Sequence, residues 1–232
     1  MKKIPKFLIV LLVLVILAAG GIYGVNFYFC QKINMECEKT DLKLSPLPFG
    51  ELAVPSDYSE ITAGGFSVSF PCEMSKKDSQ TMDIYTNNEN GIVFAVSDAG
   101  LMDENDLNAA RMAAKYVNGG SVANEYDYCF YCLDIDRSQL KMAVPLNPMY
   151  FYKFAFEKEQ WLNSAKSVSC FETEDYCGFA SFLGYDNERK IYKYSFELYD
   201  RKSHEKIGKN LLISAEDEKV IGGIIASVKP AE

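Results

Sequence analysis

FLIVLLVLVILAAGGIYGVNFYF, residues 7 to 29, runs for 23 positions without a charge. A helix of that length, rising 1.5 Å per residue, reaches about 34 Å and covers a hydrocarbon core of about 30 Å. Lys2, Lys3 and Lys6 precede the run and Lys32 alone follows it closely. That asymmetry predicts a cytoplasmic N-terminus, with everything from Cys30 onward outside. The competing reading is a cleaved signal peptide, with an apolar core from Phe7 to Leu17 and the small residues Ala18, Ala19, Gly20 and Gly21 at the cleavage site. Ile22, Tyr23, Val25, Phe27, Tyr28 and Phe29 favour the anchor, because they prolong the run where a released protein gains nothing. Tyr23 and Tyr28 also suit an aromatic belt at the outer interface. A lipoprotein is disfavoured by the bulk of Phe27, Tyr28 and Phe29 ahead of Cys30. A pilin-type segment is disfavoured by the lack of an early acidic residue.

Working outward, the expected order is a cytoplasmic stub (1–6), a transmembrane helix (7–29), a juxtamembrane segment and stalk (30–63) and an extracytoplasmic domain (64–232). The stalk is read from the loss of periodicity after Lys39 and from Pro46, Pro48 and Pro55, which fix φ and remove donors. Beyond the anchor the chain carries 21 basic against 32 acidic residues, a formal charge of −11. Nucleic acid is not an expected partner, since no lysine or arginine cluster is present to release its counterions. The lipid bilayer is the expected partner of the helix, and an envelope protein that of the domain.

The domain reads as α+β, one largely antiparallel sheet with packing helices. Phe66, Val68 and Phe70 alternate with Ser67 and Ser69 until Pro71, and Thr81–Thr86 and Ile92–Ser97 follow as strands. Asp103 caps a helix in which Leu107, Ala110, Ala114 and Val117 recur until Gly119 and Gly120 end it. Tyr126 to Leu133, Tyr150 to Phe156 and Tyr192 to Leu198 read as strands with aromatic faces, and Glu157–Ser164 as a short helix around Trp161. Phe179–Tyr185 and Lys190–Tyr199 form a hairpin, and Gly208–Ile213 another strand. Ser214 then caps a last helix carrying Val220, Ile221, Ile224, Ile225 and Val228. Gly222 and Gly223 inside it cost about 1 kcal/mol each relative to alanine, so a close approach to a sheet is expected there.

The stretches GGFSVSFP (Gly64–Pro71), IVFAVSDA (Ile92–Ala99) and SAEDEKVIGGIIASVKP (Ser214–Pro230), around a central helix and a strand meander, resemble the PsbP-like α/β/α sandwich. The resemblance spans Gly64 to Pro230 in layout and includes a terminal Ser-x-Lys at Ser227 and Lys229. It implies a non-enzymatic binding or assembly factor. The position of Trp161, the cysteines and the stretch Leu133–Ser169 depart from that pattern.

Candidate chemistry is sparse. Seven cysteines stand at 30, 37, 72, 129, 132, 170 and 177. Outside the membrane they can pair, Cys170 with Cys177 being the local pair that closes a short acidic loop. Cys30 and Cys37, seven apart, share a face if the anchor helix continues and could join two chains. The other reading is free, buried thiols acting as small hydrophobes. Cys129-x-x-Cys132 is the nearest approach to a redox motif, but on a strand its sulfurs face opposite ways. Zinc is not expected with one histidine, His204, which lies in a charged turn. Asp98, Asp103, Glu104 and Asp106, or Asp134 and Asp136, lack the spacing of a calcium loop. No cofactor, metal or catalytic residue is assigned. The remaining alternatives to a binding module are an envelope hydrolase with two converging carboxylates and a thiol module on Cys129 and Cys132.

Overall fold

The computed structural model describes residues 5–50 and 52–231. Lys2 and Lys3, two of the three lysines behind the expected orientation, lie outside the described residues. Helix α1 (Lys6–Glu36) follows Pro5 and carries the apolar run. Among the described residues it is the one helix long and apolar enough to cross a membrane. Its side chains from Phe7 to Leu17 are 45–74% exposed, and only its last turns touch the rest of the protein.

The remainder is α+β. Strands β1 (Ser59–Ala63) and β2 (Phe66–Phe70) pair antiparallel around Gly64 and Gly65. Strands β3 (Ser75–Lys77), β4 (Met82–Asn87) and β5 (Ile92–Asp98) form a meander, followed by helices α2 (Glu104–Asn118), α3 (Glu125–Asp134) and α4 (Asn147–Ser164). Next come β6 (Ser167–Glu172), β7 (Tyr176–Asp186), β8 (Ile191–Asp200) and β9 (Lys206–Ala215), then helix α5 (Glu218–Ser227) and the two-residue β10 (Lys229–Pro230). The large sheet has seven strands in the order β3-β4-β5-β9-β8-β7-β6, each pair antiparallel. The small sheet has the order β1-β2-β10.

Period-two alternation in the large sheet divides its side chains between two cores. Phe94, Val96, Phe196, Leu198, Leu211 and Ile213 face the small sheet and α5. Val168, Cys177, Phe179 and Tyr199 face α2, α3 and α4. Phe94 and Phe196 are fully buried, a gain of about 1.5–3 kcal/mol each relative to exposure. The terminal Ser-x-Lys has a structural use: Ser227 Oγ accepts from Ser69 N at 2.8 Å and donates to Ile224 O at 2.7 Å, while Lys229 pairs with Ser67 in register.

Several expectations are corrected. Tyr126–Leu133 lies in helix α3, not in a strand, because the Asn124 side chain caps it by accepting from Asp127 N at 2.9 Å. Tyr150–Phe156 lies in α4, continuous with the helix around Trp161, and Pro148 near its start is pre-set for a helical first turn. The cap of α5 is Asp217, since β9 runs on to Ala215 and uses Ser214 as a strand residue. The segment expected to stand free as a stalk instead packs along the domain. Ser45 N donates to Val168 O at 2.8 Å, Ser169 Oγ donates to Pro46 O at 3.1 Å, and Phe49 is buried against Tyr194 and Phe196.

That packing explains the two glycines of α5. A Cβ at Gly222 would lie 2.8 Å from Phe49 Cβ, and one at Gly223 would lie 3.0 Å from Pro55 Cδ. The close neighbour is the packed segment rather than a sheet.

Candidate functional site

Helix α1 does not end at the apolar boundary but continues beside α4, and a set of polar groups fixes the junction. Asn26, 2% exposed, donates from Nδ2 to Met142 O at 3.0 Å and to Val144 O at 3.3 Å, and its Oδ1 accepts from Leu146 N at 3.1 Å. These bonds satisfy the backbone of the turn before α4, where Leu146 adopts φ 63°, a left-handed conformation that a leucine holds only under outside constraint. Asn147, fully buried, completes the turn. Its Oδ1 accepts from Lys141 N at 2.6 Å and its Nδ2 donates to Val117 O at 2.9 Å at the end of α2.

Further along, Phe29 packs on Tyr152, whose hydroxyl donates to Glu36. The Arg137 guanidinium closes the C-terminus of α1, donating to Asn34 Oδ1 at 2.8 Å and to Cys37 O at 3.0 Å; a cation there opposes the negative end of the helix dipole. Lys39 N donates to Glu159 Oε2 at 2.8 Å. Lys158, 1% exposed, donates to Thr40 O at 2.9 Å and to Ile135 O at 2.8 Å. Burial, with Lys43 nearby, pulls its ammonium down to about 8. Helix α1 and the rest of the protein are thereby joined without a flexible link.

A second polar cluster lies where α3 meets β8 and β9. Lys206 Nζ sits 2.7 Å from Glu125 Oε1 and 3.9 Å from Glu197 Oε2. Glu125 also accepts from Met102 N at 2.9 Å. Tyr199 Oη donates to Glu197 at 3.3 Å and lies 3.5 Å from Cys129 Sγ. Burial raises the Glu197 carboxyl against the pull of Lys206. Desolvation works to lower Lys206, yet its hydrogen bond to Glu125 and the charge of Glu197 hold it above its ordinary value. The two carboxylates thus converge on one ammonium, which offsets one of their two negative charges.

The cysteines are free thiols. Because α3 is a helix, Cys129 and Cys132 share a face after all, both buried against the helical core. Burial pushes Cys129 up to about 12 and Cys132 well above the ordinary thiol value, away from thiolate chemistry. Cys170 pairs in register with Phe179, and Cys177 stands two residues from that position on the same face of the sheet, so the two are diagonal neighbours. Cys37 is fully buried against the domain, which removes it from any joint between chains. His204, in the turn before β9, packs on Tyr126 with ring centroids 4.5 Å apart and the planes tilted by 36°. Asp98 pairs with Lys209, Asp103 caps α2, Glu104 pairs with Arg111 and Asp136 with Lys43.

Among the described residues no three His, Cys, Asp or Glu side chains are grouped to hold a metal ion. Hollows on the surface are open, one of about 460 Å³ being lined by Asn87, Gly91, Arg189 and Glu216. Asn26, Asn147, Arg137 and Lys158 escaped the sequence reading. Asn26 alone carried a signal, being the single side-chain amide inside the 23-residue apolar run. In comparison with protein-family models and with curated protein sequences, the chain matches none.

Proposed function

We propose that this chain is a single-pass membrane protein, N-terminus in the cytoplasm, that holds its α+β domain outside as a non-enzymatic binding or assembly module of the cell envelope. The observation that carries the reading is the passage of α1 from an exposed apolar run straight into the polar clamp of Asn26, Arg137 and Lys158. A released domain has no use for the exposed Phe27 and Tyr28. The excess of Lys2, Lys3 and Lys6 over Lys32 supports the orientation. The PsbP-like likeness belongs to the same proposal, on the strength of its sequence stretches, and points to a protein of the envelope as partner.

The convergence of Glu125 and Glu197 is the one observation that favours an envelope hydrolase instead. Their common ion pair with Lys206 argues against it, because the ammonium stands 2.7 Å from one carboxylate and 3.9 Å from the other, in the space a scissile bond would have to occupy. The test is protease protection on intact spheroplasts expressing the chain with an N-terminal tag. Loss of the domain with survival of a tagged fragment slightly longer than α1 is expected. Survival of the whole chain, or release of an untagged domain into the medium, overturns the reading.

A further inference from the structure

Twenty helical residues counted from Phe7 end at Asn26, a span of about 30 Å that matches the hydrocarbon thickness. Asn26 therefore stands at the outer edge of the apolar layer, and the carbonyls it holds, those of Met142 and Val144, stand at the same level. We propose that the turn 141–146 beds in the outer leaflet of the same bilayer, a second membrane contact beside the anchor. The inference rests on the single-pass reading above.

Three independent features of the turn fit a lipid interface. Met142 and Val144 are 37% and 39% exposed and Pro145 is exposed, so the tip presents apolar groups outward while both buried asparagines hold its backbone. Next to it, Tyr116 and Tyr150 stack at 4.6 Å with their rings 11° from parallel, and Tyr116 is 47% exposed. Tyrosines of that kind collect at headgroup level, with an apolar body and a wet tip. The charge pattern agrees as well. In a domain of formal charge −11, residues 137–156 and 107–124 contain no Asp or Glu but include Arg111, Lys115, Arg137, Lys141 and Lys153. Arg111 and Arg137 of this set are already paired with Glu104 and Asp41, so the charges beside the turn that can extend to headgroup phosphates are Lys115 and Lys141.

Tryptophans added one at a time to the full chain, reconstituted in phosphatidylcholine and phosphatidylglycerol vesicles with brominated acyl chains, read depth against the native emission. Native Trp161, packed on Phe179 at 5.3 Å, supplies the background. Leu14→Trp reports the anchor, Val144→Trp the turn, and Leu183→Trp the end of the domain near Lys166, about 27 Å away along α4. Met142→Trp replaces V144W if that variant does not fold. After subtraction of the native chain's emission, that of V144W should fall by more than about twofold with bromines high on the chains, and that of L14W should respond most to deep bromines, as their levels in the bilayer require. L183W should match the native chain. Quenching of L14W with V144W and M142W unaffected overturns the turn contact alone and leaves the face to a protein or a second copy. An unquenched L14W overturns the anchor reading and the turn contact with it.

Discussion

The two faces of the large sheet are held by different means. Toward β2 and α5 the core is apolar, built on Phe70, Phe94, Phe196 and Ile213, and its buried polar side chains are small serines such as Ser69 and Ser227. Toward α2, α3 and α4, and at the junction with α1, the interior also contains Asn26, Asn147, Lys158 and Glu159. Apolar burial contributes stability without fixing orientation, whereas a buried amide or ammonium is tolerated only where its partners stand at the right place. The first face holds the domain together. The second determines how α1 meets it.

Substitutions can break this contrast. The largest effect is expected from Phe196→Ala, a loss of about 3–5 kcal/mol in denaturant unfolding of the full chain in detergent, because the site lies between two layers that cannot collapse together. A loss under about 1 kcal/mol would show a looser core than its burial implies. Lys158→Met keeps the volume but leaves the carbonyls of Thr40 and Ile135 without their donor, and should cost about 1–3 kcal/mol. A neutral or stabilising outcome would mean that desolvation of the ammonium outweighs both bonds. Gly222→Ala sharpens the comparison by sign. Helix propensity alone would stabilise by about 1 kcal/mol, while displacing Phe49 costs about 1–3 kcal/mol. Net destabilisation, measured by thermal melting, is expected if the segment before β1 is packed, and a raised Tm would show it free.

The smallest effect is on the pH profile. Burial raises Cys129 to about 12 and Cys177 to about 11, so the unfolded chain loses those protons first and stability falls as pH rises from about 8.5, the ordinary thiol value. Lys158 acts in the opposite sense. Its folded value of about 8 lies below that of the unfolded chain, so the unfolded state holds more protons above pH 8 and stability gains as pH rises toward 10.5. The alkaline fall in Tm should therefore be steeper in Lys158→Met than in the native chain. Parallel profiles would remove the buried charge from the account.

These differences also mark what was legible in the sequence. The hairpin at Asp186, the cap at Asp103 and the strand Phe66–Phe70 follow from local chemistry and were read correctly. Tyr126–Leu133 and Tyr150–Phe156 were not, because aromatic residues on alternate positions satisfy a strand pattern and tertiary packing decided otherwise. In α4 the informative set was Phe151, Phe154, Ala155, Lys158 and Glu159, at helical spacing, but two of its members are charged and so look exposed. Prolines suggested a free stalk, while Phe49, which anchors that segment to the core, gave no local sign of its partner. The junction was illegible for the same reason: Asn26 and Leu146 are 120 positions apart.

The absence of a flexible link at the junction turns the molecule into a lever. In the bilayer orientation proposed above, α1 and α4 move as one body, so a change in membrane thickness that tilts the anchor by about 10° displaces the far end of α4 by about 5 Å. Whatever the domain touches at that end would register the thickness of the membrane through its angle, with no change in the domain's internal structure.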